Sequence, residues 1–135
     1  MAHTEFLLDQ YKKGNLIAWS VSTQCWNSVR IKIYAGSKVY FEGTKPFERS
    51  GELRVIGLGN SVLETDDVLK VNIEVPESSA LQSSIVSGAI SDKAVRRIGY
   101  VYDICIEDGF DMDFNDICIN VVGWKDQATD NSLRT

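Results

Sequence analysis

Val29-Arg30-Ile31-Lys32-Ile33-Tyr34 puts β-branched apolar residues at 29, 31 and 33 and charged residues at 30 and 32. A period of two is the pattern of a strand with one face in a core and one in water, because successive side chains leave the backbone on opposite sides. Leu69, Val71, Ile73 and Val75 repeat it. Outward from these two segments, similar β-rich runs cover Leu16 to Val21, Ser28 to Ala35, Lys38 to Glu42, Glu52 to Leu58 and Val68 to Val75, then Ser83 to Ile90, Arg96 to Ile106 and Ile117 to Trp124. Gly36-Ser37, Glu42-Gly43, Ser50-Gly51 and Gly59-Asn60 read as the turns between the earlier runs. About eight or nine short strands so closely spaced predict an all-β fold, an antiparallel β-sandwich. Only Thr4 to Lys13 has a helical spacing, with Phe6, Leu7 and Tyr11 on one side, and it reads equally as an edge strand.

The chain has 135 residues, which predicts a single domain, with residues 1–13 as an N-terminal extension, a Ser-rich loop from Ser78 entering the next strand, and a polar tail over 125–135. Apolar residues make up 44% and charged residues 24%, the balance of an ordinary globular protein. A net charge of -5 and the lack of a basic cluster interleaved with aromatics argue against nucleic acid as a partner. No apolar run has the length to span a bilayer, and residues 1–13 lack the pattern of a standard signal peptide. The expectation is synthesis in the cytoplasm and no membrane insertion, with export or release to the cell surface left open.

Cys25, Cys105 and Cys118 include no CxxC pair. Cys105 and Cys118 flank one loop on two adjacent runs and are read as free, apolar-like residues, a disulfide being the alternative. Trp19, Trp26 and Trp124 are read as packing residues and not as sugar-stacking ones. His3 is the one histidine, so the usual base for a Ser or Cys nucleophile is missing, and no catalytic residue is assigned. The expected class is a binding protein and not an enzyme.

The negative charge is concentrated. Glu107, Asp108, Asp111, Asp113 and Asp116 put five carboxylates within ten residues, between two strongly apolar strands. Two unit charges about 4 Å apart repel by roughly 4 kcal/mol at an effective dielectric of about 20, so such a loop calls for a cation. Calcium suits it, since oxygen donors from carboxylates and Asn115 are at hand without His or Cys. Asp111, Asp113 and Asn115 alternate and can project to one side, with Phe110 and Phe114 as anchors. An EF-hand is excluded, because its sixth position would hold Asp116 in place of Gly and its twelfth Val122 in place of Glu. A carboxylate pair acting as a glycosidase is disfavoured, because a cation keeps such acids ionised.

Glu-Asp-Gly-x-Asp-x-Asp-aromatic-Asn-Asp, followed by an apolar strand, resembles the calcium-mediated bacterial lectins of the fucose-binding lectin II family over Glu107 to Val122. The resemblance implies a sandwich of about nine strands in which two adjacent Ca2+ ions bind vicinal hydroxyls of a fucose- or mannose-type sugar. By the same resemblance Glu107 and Asp111 ligate the first ion, Asp113 and Asp116 bridge both, and Asn115 ligates the second; Asp108 belongs to the motif without being an expected ligand. The main-chain carbonyl of Ser22 joins the metal ligands. Thr23, Gln24 and Cys25 fall where the family sets its sugar preference. The implied sugar-facing set is thus Ser22, Thr23, Gln24, Asp111, Asp113, Asn115 and Asp116. Family chains end shortly after a Trp and lend their terminal carboxylate to a neighbouring subunit's calcium site, whereas this chain continues past Trp124; Asp126 is the substitute by direct count. The implied partners are a carbohydrate or glycoconjugate and further copies of the chain, as a homodimer or larger. A calcium-stapled structural or adhesion domain without sugar binding is the alternative.

Overall fold

The structure, a computed structural model, describes residues 1–109 and 115–125. Among these there is no helix. Nine strands run β1 (Ala2–Leu8), β2 (Leu16–Thr23), β3 (Val29–Ala35), β4 (Lys38–Lys45), β5 (Arg54–Val62), β6 (Leu69–Val75), β7 (Gln82–Ser91), β8 (Arg97–Glu107) and β9 (Ile117–Trp124). They form two antiparallel sheets, one ordered β1-β6-β3-β4 and the other β5-β2-β9-β8-β7.

The alternation read in β3 and β6 is what buries them. Val29, Ile31, Ile33 and Ala35 pair alongside Leu69, Val71 and Ile73, and all are 1% exposed or less. The second sheet answers with Ile17, Trp19 and Val21 from β2, Ile104 and Ile106 from β8, and Ile117, Ile119 and Val121 from β9. Two faces with period-two apolar rows can bury them only against each other, which makes the sandwich.

The structure departs from the sequence reading in three places. Residues 2–8, read as part of an N-terminal extension that is either helical or an edge strand, form edge strand β1, in register with β6 from Ala2↔Val75 to Leu8↔Leu69. Phe6 packs on the core while Leu7 is exposed, so β-pairing overrides the helical spacing. Glu42-Gly43 and Gly59-Asn60 are not turns, because β4 and β5 run through them. The reason lies in neighbouring rings: a Cβ at Gly43 would come within 2.6 Å of Phe41, and one at Gly59 within 2.5 Å of Trp19. These glycines make room for aromatic side chains within a sheet.

Candidate metal and ligand site

One end of the second sheet gathers the acidic groups. Glu107 is the last residue of β8 and Asp116 immediately precedes β9. Antiparallel pairing of β8 with β9, with Ile106 opposite Ile117, brings the two positions to the same end of the sandwich. Glu107 is 1% exposed and Asp116 8%, unusual burial for carboxylates. Asp108, half-buried, joins them, and one oxygen of each of the three carboxylates lies within 4.8 Å of the others.

Backbone amides orient this cluster. The Asp108 N–H donates to Asp116 Oδ2 at 2.9 Å, and the Gly109 N–H donates to Glu107 Oε2 at 2.8 Å. A Cβ at Gly109 would lie 3.4 Å from that same Glu107 oxygen. Burial holds the Asp116 carboxyl above the usual carboxylate range, against the Asp108 amide, which lowers it. Among the described residues no Lys or Arg forms an ion pair with Asp116. Lys45, though buried, instead donates to the carbonyls of Asn27 and Pro46, at 2.9 and 3.0 Å.

A second loop meets the cluster from β2. Ser22 pairs with Cys118 and Thr23 with Ile117, and beyond the strand the Gln24 N–H donates to the Asp116 carbonyl at 3.0 Å. The positions named from sequence at opposite ends of the chain, Ser22 to Gln24 and Asn115 to Asp116, therefore lie side by side. Ser22, Gln24 and Asn115 are half-buried. Thr23 points inward with Val21 and is 1% exposed; its Oγ1 has no hydrogen-bond partner among the described residues. Asp111, Asp113 and Asp126 lie outside the described residues.

Three contributors were not singled out from sequence. Asn27 Nδ2 donates to Asp108 Oδ2 at 3.0 Å, fastening the loop after β2 to the acidic turn. The buried Ser78 hydroxyl lies 2.8 Å from the Ala80 carbonyl and 3.1 Å from that of Asp108. Glu77 receives both the N–H and the hydroxyl of Ser28, at 2.8 and 2.6 Å, and these bonds lower its pKa. Asp108 likewise has a larger place than its motif position implied, because its carboxylate sits inside the cluster. No local signal marks Asn27, Ser78 or Glu77, since each acts across long sequence separation.

Cys105 and Cys118 are opposite each other on β8 and β9, half-buried and free, with sulfurs 4.0 Å apart. Cys25 is buried, and burial pushes its thiol up to about 12. Trp19 is a core residue, whereas Trp26 is 52% exposed.

Every donor in the buried cluster is an oxygen, and burial without an ion-paired Lys or Arg on Asp116 fits a hard divalent cation such as calcium. Glu107 and Asp116 would hold such an ion, with the Ser22 to Gln24 backbone adjacent.

The sequence matches no protein-family model and no curated protein. Its fold does have counterparts among solved structures. A Chromobacterium violaceum lectin in complex with alpha-methyl-fucoside superposes with a TM-score of 0.59 at 17% identity, covering 87% of this chain and 93% of that one. The C-terminal domain of a Burkholderia cenocepacia lectin gives 0.56 at 18% identity, covering 81% and 86%. A Ralstonia solanacearum high-affinity mannose-binding lectin gives 0.56 at 15% identity, covering 83% and 96%. The protein thus has the fold of these bacterial lectins.

Proposed function

We propose that this protein is a calcium-dependent lectin that binds a fucose- or mannose-type sugar through metal held at the acidic end of its sandwich. The observation that carries the proposal is the pair of buried carboxylates, Glu107 and Asp116, clustered with Asp108 at the sheet end where the β2 loop arrives. Bound calcium would supply open coordination positions for vicinal hydroxyls. The chain's own residues would fix that metal: Glu107 and Asp116 by charge, Asp111, Asp113 and Asn115 from the loop between them, and Ser22 through its carbonyl. Two ions are expected, with Asp113 and Asp116 shared between them. Asp126 is the proposed ligand lent to a neighbouring copy, which makes a homodimer or larger the expected assembly. Such an assembly gives weak sugar sites avidity.

Several features support this reading. The donor set is all oxygen, the loop order follows the motif Glu107 to Asp116, and the fold is shared with lectins described as fucoside-complexed and mannose-binding. Displacing two metal-bound waters with one diol limits the ordering cost of binding. No catalytic role is proposed.

Retention on mannose- or fucose-agarose in calcium, with release by EDTA, is the direct test. A chain that melts higher in calcium yet is retained on neither matrix would instead be the calcium-stapled structural domain. Asp113→Ala is expected to abolish glycan-array signal while the circular dichroism of the sandwich stays unchanged; undiminished sugar binding by that variant refutes the bridging assignment.

A further inference from the structure

The opposite end of the second sheet carries a cleft of about 580 Å³, in which the β1–β2 turn faces the start of β8 and the end of β9. β8 spans eleven residues between this cleft and Glu107, so the two ends stand roughly 30 Å apart at about 3.3 Å per residue. The cleft is separate from the acidic cluster and of opposite charge: its lining includes Lys12, Arg96, Arg97 and Lys125 against one carboxylate, Asp9.

The polar lining divides into engaged and available groups. Arg96 is paired with Asp92 through its Nε at 2.9 Å, and the Asp9 carboxylate lies 3.4 Å from the Tyr102 hydroxyl. Lys12, Arg97 and Lys125 are exposed and form no ion pair among the described residues. Arg97 is nonetheless held in place, with its guanidinium 4.8 Å from the centroid of the Tyr100 ring and one nitrogen 3.3 Å from the Gln10 carbonyl. Tyr11, Tyr100 and Trp124 supply aromatic surface, all half-buried. The Tyr11 hydroxyl sits 2.9 Å from the Tyr100 carbonyl and 3.1 Å from that of Val121, and its ring lies so close over Gly123 that a Cβ there would come within 2.3 Å. The Tyr11 ring is therefore fixed by the fold, as a preformed site requires.

We propose that this cleft is a second, calcium-independent binding site for an acidic saccharide, one carrying a carboxylate or sulfate on a sugar ring. Aromatic walls suit the C–H face of a sugar and are wasted on a bare inorganic anion. Oriented Arg97 with Lys12 and Lys125 suits an acid and is wasted on a neutral sugar. A single-stranded nucleic acid also combines stacking with charge, but it needs a basic groove that tracks a backbone over several nucleotides. Here the cleft offers four basic side chains, one of them already paired with Asp92, on a chain of net charge -5.

The intact 135-residue chain in EDTA and low salt, where any calcium site would be empty, is titrated with trigalacturonate, with a sulfated heparin-derived oligosaccharide, with neutral galactotriose and with oligothymidylate of matched charge. Calorimetry reads affinity, and NMR of the tryptophan indoles reads location. Saturable binding of either acidic saccharide that moves the Trp124 indole resonance and leaves Trp19 in place is expected, and shows which acid is preferred. Arg97→Gln combined with Lys125→Gln changes only exposed side chains and is expected to weaken that binding about tenfold or more, the scale of losing charged hydrogen bonds. The proposal is overturned by absence of binding to both acidic saccharides, by equal affinity for galactotriose or oligothymidylate, or by an unchanged dissociation constant in the double variant. Because calcium is absent throughout, none of these results bears on sugar retention at the acidic end.

Discussion

At the scale of single residues, burial decides how each acid and thiol behaves. Asp116 is desolvated and its pKa raised, so the buried charge costs stability until a cation or proton compensates it. Asp116→Asn keeps the shape and accepts the Asp108 amide through its carbonyl. This variant is expected to melt no lower than the parent in EDTA and to lack the upward shift in calcium that the proposed site predicts for the parent; a shift equal to the parent's in differential scanning calorimetry would remove Asp116 from the ligand set. Cys25 follows the same logic. With its thiol pushed up to about 12 and its side chain buried, it is expected to resist iodoacetamide at pH 8 in the native protein and to react once unfolded in guanidinium, read by peptide mass spectrometry.

At the scale of elements, strand pairing and loop clasps assemble the acidic end. The Ser28–Glu77 contact ties the loop after β2 to the turn after β6, and Asn27 ties it on to Asp108. The Glu77 carboxyl has its pKa lowered in the folded state, so its contribution is present above its unfolded pKa and is lost as pH falls through the folded value. Glu77→Gln is therefore expected to melt lower than the parent at pH 7, by roughly 1–2 °C given the exposure of the contact. Thermal melts repeated toward the acid side of the carboxylate range should show that gap closing. Within β9, Ile119 is 1% exposed at the centre of the core, and Ile119→Ala is expected to cost about 2–5 kcal/mol by urea denaturation.

At the scale of the whole molecule, calcium bound by the folded state alone would stabilise it by mass action. At a hundredfold excess over its dissociation constant a single ion adds about 2.7 kcal/mol, a melting shift on the order of 10 °C for a chain of this length. Melting curves that coincide in calcium and in EDTA would count against any ordered metal at the acidic end. The charge layout is also global: carboxylates gather at one end of β8 and cations at the other. Antiparallel packing separates the two ends by the full length of that strand.

The sandwich was legible in the sequence because its evidence is local. Period-two rows such as Val29, Ile31 and Ile33 commit a segment to one buried face whatever its neighbours do, and the run of acids from Glu107 to Asp116 marks the candidate metal site by charge density alone. Tertiary structure decided everything that depends on who stands opposite. It drew residues 2–8 into β1, where β6 offered an unpaired edge, and it carried β4 and β5 through glycines that read as turns, because Phe41 and Trp19 occupy the space a side chain would need. It also set Ser22 to Gln24 beside Asp116, buried Thr23, brought Asn27 and Ser78 to the acidic turn, and gathered Tyr11, Tyr100 and Arg97 into a cleft. Periodicity and charge density are properties of neighbouring residues along the chain, whereas these contacts join residues up to 110 positions apart and exist only once the sheets have closed.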